Sequence, residues 1–217
     1  MELTWYGHSC FLLKGDVSVL VDPFVPDGEA PKDADIVAVT HGHADHLGET
    51  VALNKPTVAI NEVAKYLASK GLDAVGMNIG GTIELGGVKF TMTQAIHSAW
   101  IEEGGIGFAG GGSAGFVIGM NEKRVYHAGD TALFSDMKLI GELWHPDVAI
   151  LPIGDRFTMG PAEAMIAARY VGASLVIPMH YNTWPAIEQD PSHFKHALER
   201  TTDHKVCVMN PGETIEI

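Results

Sequence analysis

Apolar positions gather into short runs along the chain, and the spacing between those runs changes character several times. The N-terminal segment carries LTWY, SCFLL and VSVLVD, divided by Gly-His and Gly-Asp turn signals, a pattern that predicts a meander of three short strands. From residue 35 the period shifts. DIVAVT, PTVAI, DVAILPI and SLVIPM read as buried strands that alternate with helical stretches near 61–70, 134–144, 161–172 and 192–202. PAEAMIAARYVG is the clearest helix, with Pro161 in the first turn, Glu163 close behind and Gly172 as the stop. Between 81 and 127 the β character returns in TIELGG, VKFTMT, AGFVIGM and KRVYHA. The order is β-rich, βα, β-rich, βα. Two similar halves, each a sheet with helices on one face, would pack sheet against sheet as a four-layered αββα sandwich, an α/β fold. No sequence repeat marks the duplication, so this inference rests on element order alone.

With 217 residues and 46% apolar content, the chain can bury a full core. It has no Pro/Ser-rich tract, low-complexity run or block of like charge to serve as a linker, so residues 1–217 are expected to form one domain. Fourteen basic against 27 acidic residues give a formal charge of -13, which disfavours nucleic acid and anionic membranes as partners. The N-terminus has no signal-peptide pattern and no apolar run approaches a membrane span, so a cytoplasmic protein is expected. Cys10 and Cys207 are too few and too distant for a disulfide framework and read as reduced core thiols.

The chemistry lies where the strands stop. VSVLVD ends on Asp22, IVAVT runs into His41, FTMTQAI into His97, RVYHAG into Asp130, VAILPIG into Asp155 and LVIPM into His180. Sites in sheets of this kind form beyond the carboxyl ends of strands, where loops converge. The densest segment is HGHADH, with His41, His43, Asp45 and His46 inside six positions. Imidazole nitrogens and carboxylate oxygens at short range suit a borderline divalent ion such as Zn²⁺. In an extended loop His41 and His43 fall on one side, leaving Asp45 and His46 to a second ion. Four such residues exceed what one ion takes from one loop.

HGHADH resembles the HxHxDH signature of the metallo-β-lactamase superfamily, and His97, Gly129-Asp130 and His180 follow in that family's order. GHSCF, YHAGDT, LPIGDRFTMGP and PMHYNT resemble a subfamily of small metal-dependent hydrolases related to L-ascorbate-6-phosphate lactonase. The resemblance implies two divalent ions, zinc first, with manganese or iron as alternatives. His41, His43 and His97 would hold one, Asp45, His46 and His180 the other, and Asp130 would bridge them. It further implies that Asp22 secures the HGHADH loop, and that a hydroxide held between the ions and oriented by Asp45 attacks a small ester, lactone or phosphoester. His8 would stand at the mouth of the site as a second catalytic residue, touching substrate or protonating a leaving group; a structural hydrogen-bonding role weighs evenly against it.

The remaining candidates are weaker. His127 reads as buried within a strand, and His145, His193, His196 and His204 as solvated. The glycine-rich segment 98–115 lacks the ending of a P-loop and is expected to be a mobile loop over the site. Arg156 and Tyr181-Asn182-Thr183 are rim candidates, although a surface pair between Asp155 and Arg156 is the plainer reading. The expected partner is a small-molecule substrate, with an anionic one allowed and homo-oligomers left open. A nuclease of the same superfamily is the alternative, weakened by the short acidic chain. A non-hydrolytic metal-binding or redox protein is the other, and its diiron members resemble an HxExD pattern instead.

Overall fold

The computed structural model describes all 217 residues. The chain runs Glu2–Gly7 (β1), Cys10–Lys14 (β2), Ser18–Val21 (β3), Ile36–Val39 (β4), Ala44–Leu47 (α1), Thr50–Leu53 (α2), Thr57–Ile60 (β5), Asn61–Ser69 (α3) and Ala74–Met77 (β6). It continues through Thr82–Leu85 (β7), Val88–Gln94 (β8), Trp100–Glu103 (β9), Ile106–Ala109 (β10), Ala114–Met120 (β11) and Lys123–His127 (β12). The last stretch holds Met137–Trp144 (α4), Val148–Pro152 (β13), Pro161–Val171 (α5), Leu175–Met179 (β14), a 3₁₀ turn at Pro185–Ile187, Pro191–Thr201 (α6), Lys205–Val206 (β15) and Thr214–Glu216 (β16).

Two seven-stranded sheets result, ordered β16-β1-β2-β3-β4-β5-β6 and β15-β14-β13-β12-β11-β8-β7. Each begins antiparallel and turns parallel: β1 to β3 are antiparallel and β3 to β6 parallel, while β7, β8, β11 and β12 are antiparallel and β12 to β15 parallel. This common pattern carries the duplication that element order suggested. Helix α3 packs on β5 and β6, and α5 on β13 with α4 and α6 beside it, which completes the αββα layering. One cluster of 51 buried residues joins the sheets. β13 and β14 are entirely apolar apart from their prolines and almost wholly buried, as strands covered on both faces must be. No helix is long and apolar enough to cross a membrane.

The helix expectations hold to within a few residues. The largest departure is α4, which starts at Met137, because Phe134 to Asp136 form the turn that precedes it. α5 begins as expected, with Pro161 at N1 and the Glu163 carboxylate accepting from the Gly160 amide at 3.2 Å. Segment 98–115 departs more. It contains the β9–β10 hairpin rather than an unstructured loop, and buried Ile101 packs against Gly42 of the HGHADH loop. Cys10 is buried as expected, but Cys207 is only half-buried; both are free thiols.

Candidate metal centre

Three hydrogen bonds pin one sheet to the other at the carboxyl ends of their strands. The Ala114 amide donates to the Thr40 carbonyl at 3.2 Å, the His180 amide to the His8 carbonyl at 3.0 Å, and His127 Nε2 to the Ser9 carbonyl at 3.0 Å. The ligand-type side chains collect around this seam.

From the first sheet, β4 ends at Thr40 and releases His41, His43, Asp45 and His46, the last two on the single turn of α1. From the second come His97 after β8, Asp130 after β12 and His180 after β14. Gly129 has φ of +61°, and a Cβ there would collide with the Ala114 carbonyl, so only glycine lets the chain turn Asp130 inward so close to the sheet.

The structure brings all seven expected ligands together. Ligand atoms of His41, His43 and His97 lie within 4.8 Å of one another, as do those of His8, Asp45, His46 and His180, and those of His41, His46 and Asp130. His41 Nε2 is 2.9 Å from His43 Nδ1. Asp130 lies between the groups: Oδ2 is 3.0 Å from His180 Nε2 and 3.6 Å from His97 Nε2, and Oδ1 is 3.3 Å from His46 Nε2. His41, His46, Asp130 and His180 are buried, whereas His43, Asp45 and His97 are half-buried and form the open side.

Whether these residues suit metal ions can be tested on their own atoms. His46 Nε2, Asp130 Oδ1 and both ring nitrogens of His180 are buried without a hydrogen-bond partner. Buried polar groups are ordinarily satisfied, and lone pairs converging from two imidazoles and a carboxylate suit a divalent cation. Although His46 Nε2 and Asp130 Oδ1 are close, they are not aligned as donor and acceptor. The donor set fits.

The Nδ1 atoms of His41 and His46 are fixed from behind. Asp22, fully buried, accepts the Thr40 amide on Oδ1 at 2.8 Å and the Thr40 hydroxyl and His46 Nδ1 on Oδ2 at 2.8 and 2.7 Å. Thr40 Oγ1 also accepts from His41 Nδ1 at 3.1 Å. Both imidazoles thus donate through Nδ1–H and turn Nε2 to the cluster. Burial holds His41 well below the ordinary histidine range, with the His46 charge acting in the same sense, and lowers His43 and His97. Burial also opposes charge on His46, yet the Asp130 and Asp22 carboxylates hold its imidazole well above the usual range. For Asp45, burial resists ionisation, but the His8 hydrogen bond and the His46 charge depress its carboxyl.

His8 is not at the mouth. Its side chain is fully buried in the wall behind Asp45, with Nε2 3.1 Å from Asp45 Oδ2, Nδ1 2.8 Å from Thr183 Oγ1 and its ring 4.1 Å from that of His180. Burial pushes its pKa down to about 4, so the neutral imidazole donates to Asp45 and accepts from Thr183. His127 is buried as expected, accepting the Gly129 amide on Nδ1 at 3.2 Å. His145, His193 and His196 are exposed, but His204 is half-buried because its Nδ1 reaches the Ala173 carbonyl at 2.7 Å. Of the rim candidates, Tyr181 is buried against Trp5, and Arg156 stacks over Phe157 at 5.6 Å instead of pairing with Asp155. Sequence reasoning missed Thr40, whose hydroxyl serves Asp22 and His41 at once. Nothing distinguishes it from any strand-terminal threonine until the fold places it.

A family model described as a beta-lactamase superfamily domain matches residues 2–180. A UPF0173 metal-dependent hydrolase from Methanoculleus marisnigri is 61% identical over 217 residues, covering 100% of this chain and 97% of the relative. One from Methanoregula boonei is 59% identical over 218 residues, covering 100% and 98%. Among solved structures, Igni18, a metallo hydrolase from Ignicoccus hospitalis, superposes with a TM-score of 0.89 at 36% identity, covering 99% of this chain and 97% of its own.

Proposed function

We propose, from the premise that this chain belongs to the UPF0173 metal-dependent hydrolases of the metallo-β-lactamase superfamily, that it uses two divalent ions to hydrolyse a small ester, lactone or phosphoester. Its being a metal-dependent hydrolase follows from the family. The observation that carries the dinuclear reading is the division of the ligand atoms into two separate groups, around His41 and around His46, joined by a third set in which Asp130 meets both histidines.

In this reading His41, His43 and His97 would hold one ion and Asp45, His46 and His180 the other, with Asp130 available to either. Bound divalent ions would make hydroxide available from water near neutral pH and polarise the oxygen under attack. The chain's own work is orientation. Asp22 and Thr40 fix the tautomers of His46 and His41, and His8, braced by Thr183, holds the Asp45 carboxylate facing the ions, where it orients the attacking water. We assign His8 to positioning, since its buried side chain has both nitrogens engaged. The imidazole and carboxylate donors favour zinc, with manganese and iron as competitors.

The formal charge of -13 supports a small-molecule substrate over nucleic acid. Two free thiols agree with a cytoplasmic setting, and the 51-residue cluster shared by both sheets agrees with one domain over 1–217. The lactonase resemblance places lactones in the first substrate panel. The test is elemental analysis of protein purified without chelator, followed by activity with the metal found. About two ions per chain and metal-restored hydrolysis of a small substrate are expected. One ion at saturation would overturn the dinuclear reading, and processive cleavage of RNA or DNA the small-substrate reading.

A further inference from the structure

A cavity of about 500 Å³ lies on the other side of His8 from the ion ligands. The partition is one imidazole thick: its Nε2 edge bonds Asp45, and its Nδ1 edge bonds Thr183, which lines the cavity. Trp184 stands edge-on to the His8 ring with centroids 4.9 Å apart, and Phe24 does the same at 5.6 Å. The two aromatic rings face one another at 6.1 Å. Trp184 remains 39% exposed, so part of its indole is open to a ligand in the cavity.

Charge restricts the occupant. No Lys or Arg lines the cavity, and its one formally charged side chain is Asp27; the other polar groups include the amides of Asn182 and Asn210. A phosphate or carboxylate would enter without a cation to meet it and with a carboxylate to repel it. At about 500 Å³ the cavity falls within the size range of small-molecule sites and has room for a fused two-ring group.

We propose that this cavity is the subsite for an uncharged aromatic portion of the substrate, stacked on Trp184 with its polar edge toward Asn182 and Asn210, while the scissile group reaches the ions around His8, on the side where the Asp45 carboxylate is half-buried. The proposal rests on the hydrolase reading for its second half only. It makes the substrate a neutral aryl ester, lactone or aryl phosphoester whose anionic part, where it has one, stays on the ion side.

Indole, which is neutral and does not coordinate, serves as the binding probe. Its affinity for the full-length metal-loaded protein is measured by NMR titration, with Trp184→Ala and Leu143→Ala as variants; exposed Leu143 lies outside this cavity. Saturable binding at one site is expected, weakened about tenfold by Trp184→Ala, unchanged by Leu143→Ala, and insensitive to inorganic phosphate added to compete at the ions. Metal content should stay the same in both variants. In parallel, kcat/KM is compared for esters and phosphodiesters that share a scissile group and carry a methyl, cyclohexyl, naphthyl or carboxynaphthyl substituent. Naphthyl should exceed methyl and carboxynaphthyl by at least tenfold, and the gap should shrink in Trp184→Ala through KM. Absence of indole binding, or binding indifferent to Trp184, overturns the subsite even if the panel is hydrolysed. Equal rates for naphthyl and carboxynaphthyl overturn the charge argument, and a cyclohexyl preference overturns the aromatic one. Trp184-dependent indole binding without any hydrolysis overturns the hydrolytic reading and leaves the cavity assignment standing.

Discussion

Replacing Asp22 by Asn changes one atom in a fully buried side chain, and the hydrogen bonds around it determine what must follow. Asp22 is an acceptor only, and it meets three donors: the Thr40 amide on Oδ1, and the Thr40 hydroxyl and His46 Nδ1 on Oδ2. An amide cannot reproduce this. With its NH₂ at the Oδ1 position it faces the Thr40 N–H, an unsatisfied donor pair that costs about 1–3 kcal/mol. With its NH₂ at the Oδ2 position it faces His46 Nδ1, which can accept only if the imidazole proton moves to Nε2. That nitrogen is the one turned toward Asp130 and Asp45. The second arrangement spares the backbone and removes a metal lone pair. Asp22→Asn should therefore weaken the ion held by Asp45, His46 and His180 by roughly 10–100-fold, about 1.4–2.7 kcal/mol, and affect the His41, His43, His97 ion much less. Asp22→Ala leaves all three donors buried and unpaired, and should cost about 3–5 kcal/mol of folding stability as well. Competition titration against a chromophoric chelator, with thermal melts of the chelated proteins, separates the two effects. If Asp22→Asn binds both ions with wild-type affinity while melting lower, Asp22 is a turn residue and the tautomer argument is wrong.

His8→Ala should lower affinity for the ion beside Asp45 by roughly tenfold or more through loss of the Asp45 brace; loss of one limb of the pH–rate profile at full metal occupancy would instead assign His8 to proton transfer. His127→Ala should cost about 1–3 kcal/mol, because it strands the Ser9 carbonyl and the Gly129 amide, and denaturant melts measure it. Burial holds the His127 pKa below its ordinary 6.5, so the stability it contributes is complete above that value and is lost as pH falls below it; His127→Gln should flatten this acid limb. Chelation should lower the melting temperature, since each of two ions at 100 times its Kd adds about 2.7 kcal/mol, together about 11–22 °C for a chain of this size. Equal melting with and without chelator would mean that the ions do not link the two sheets.

Much of the centre was legible because its residues occupy strand ends, and strands of apolar residues announce their ends. His41, His97, Asp130 and His180 each follow such a run, and HGHADH is dense enough to be read locally. What could not be read depends on pairings distant in sequence. His8 is bonded to a residue 175 positions away, and whether it lines the mouth or the wall depends on how the sheets meet. The β9–β10 hairpin was hidden because its strands are only four residues long and glycines crowd the turn and the stretch that follows. Gly107 must be glycine there, since a Cβ would enter the Trp100 ring. Periodicity does not register such a requirement. Nor could it foresee that the C-terminal β16 returns to pair with β1.

The seam between the sheets also has a consequence in time. Synthesis delivers His41 to His46 well before Asp130 and His180, and domains begin to organise from the N-terminus during elongation. Through that interval the nascent chain offers an open, imidazole-rich chelator, and affinity alone would fill it in the Irving–Williams order. Only when the second half docks and the His8–His180 and Thr40–Ala114 backbone bonds close does Asp130 join the set. An ion met before that closure would face an incomplete donor set, so the growth medium and the rate of folding would bear on what the finished site holds.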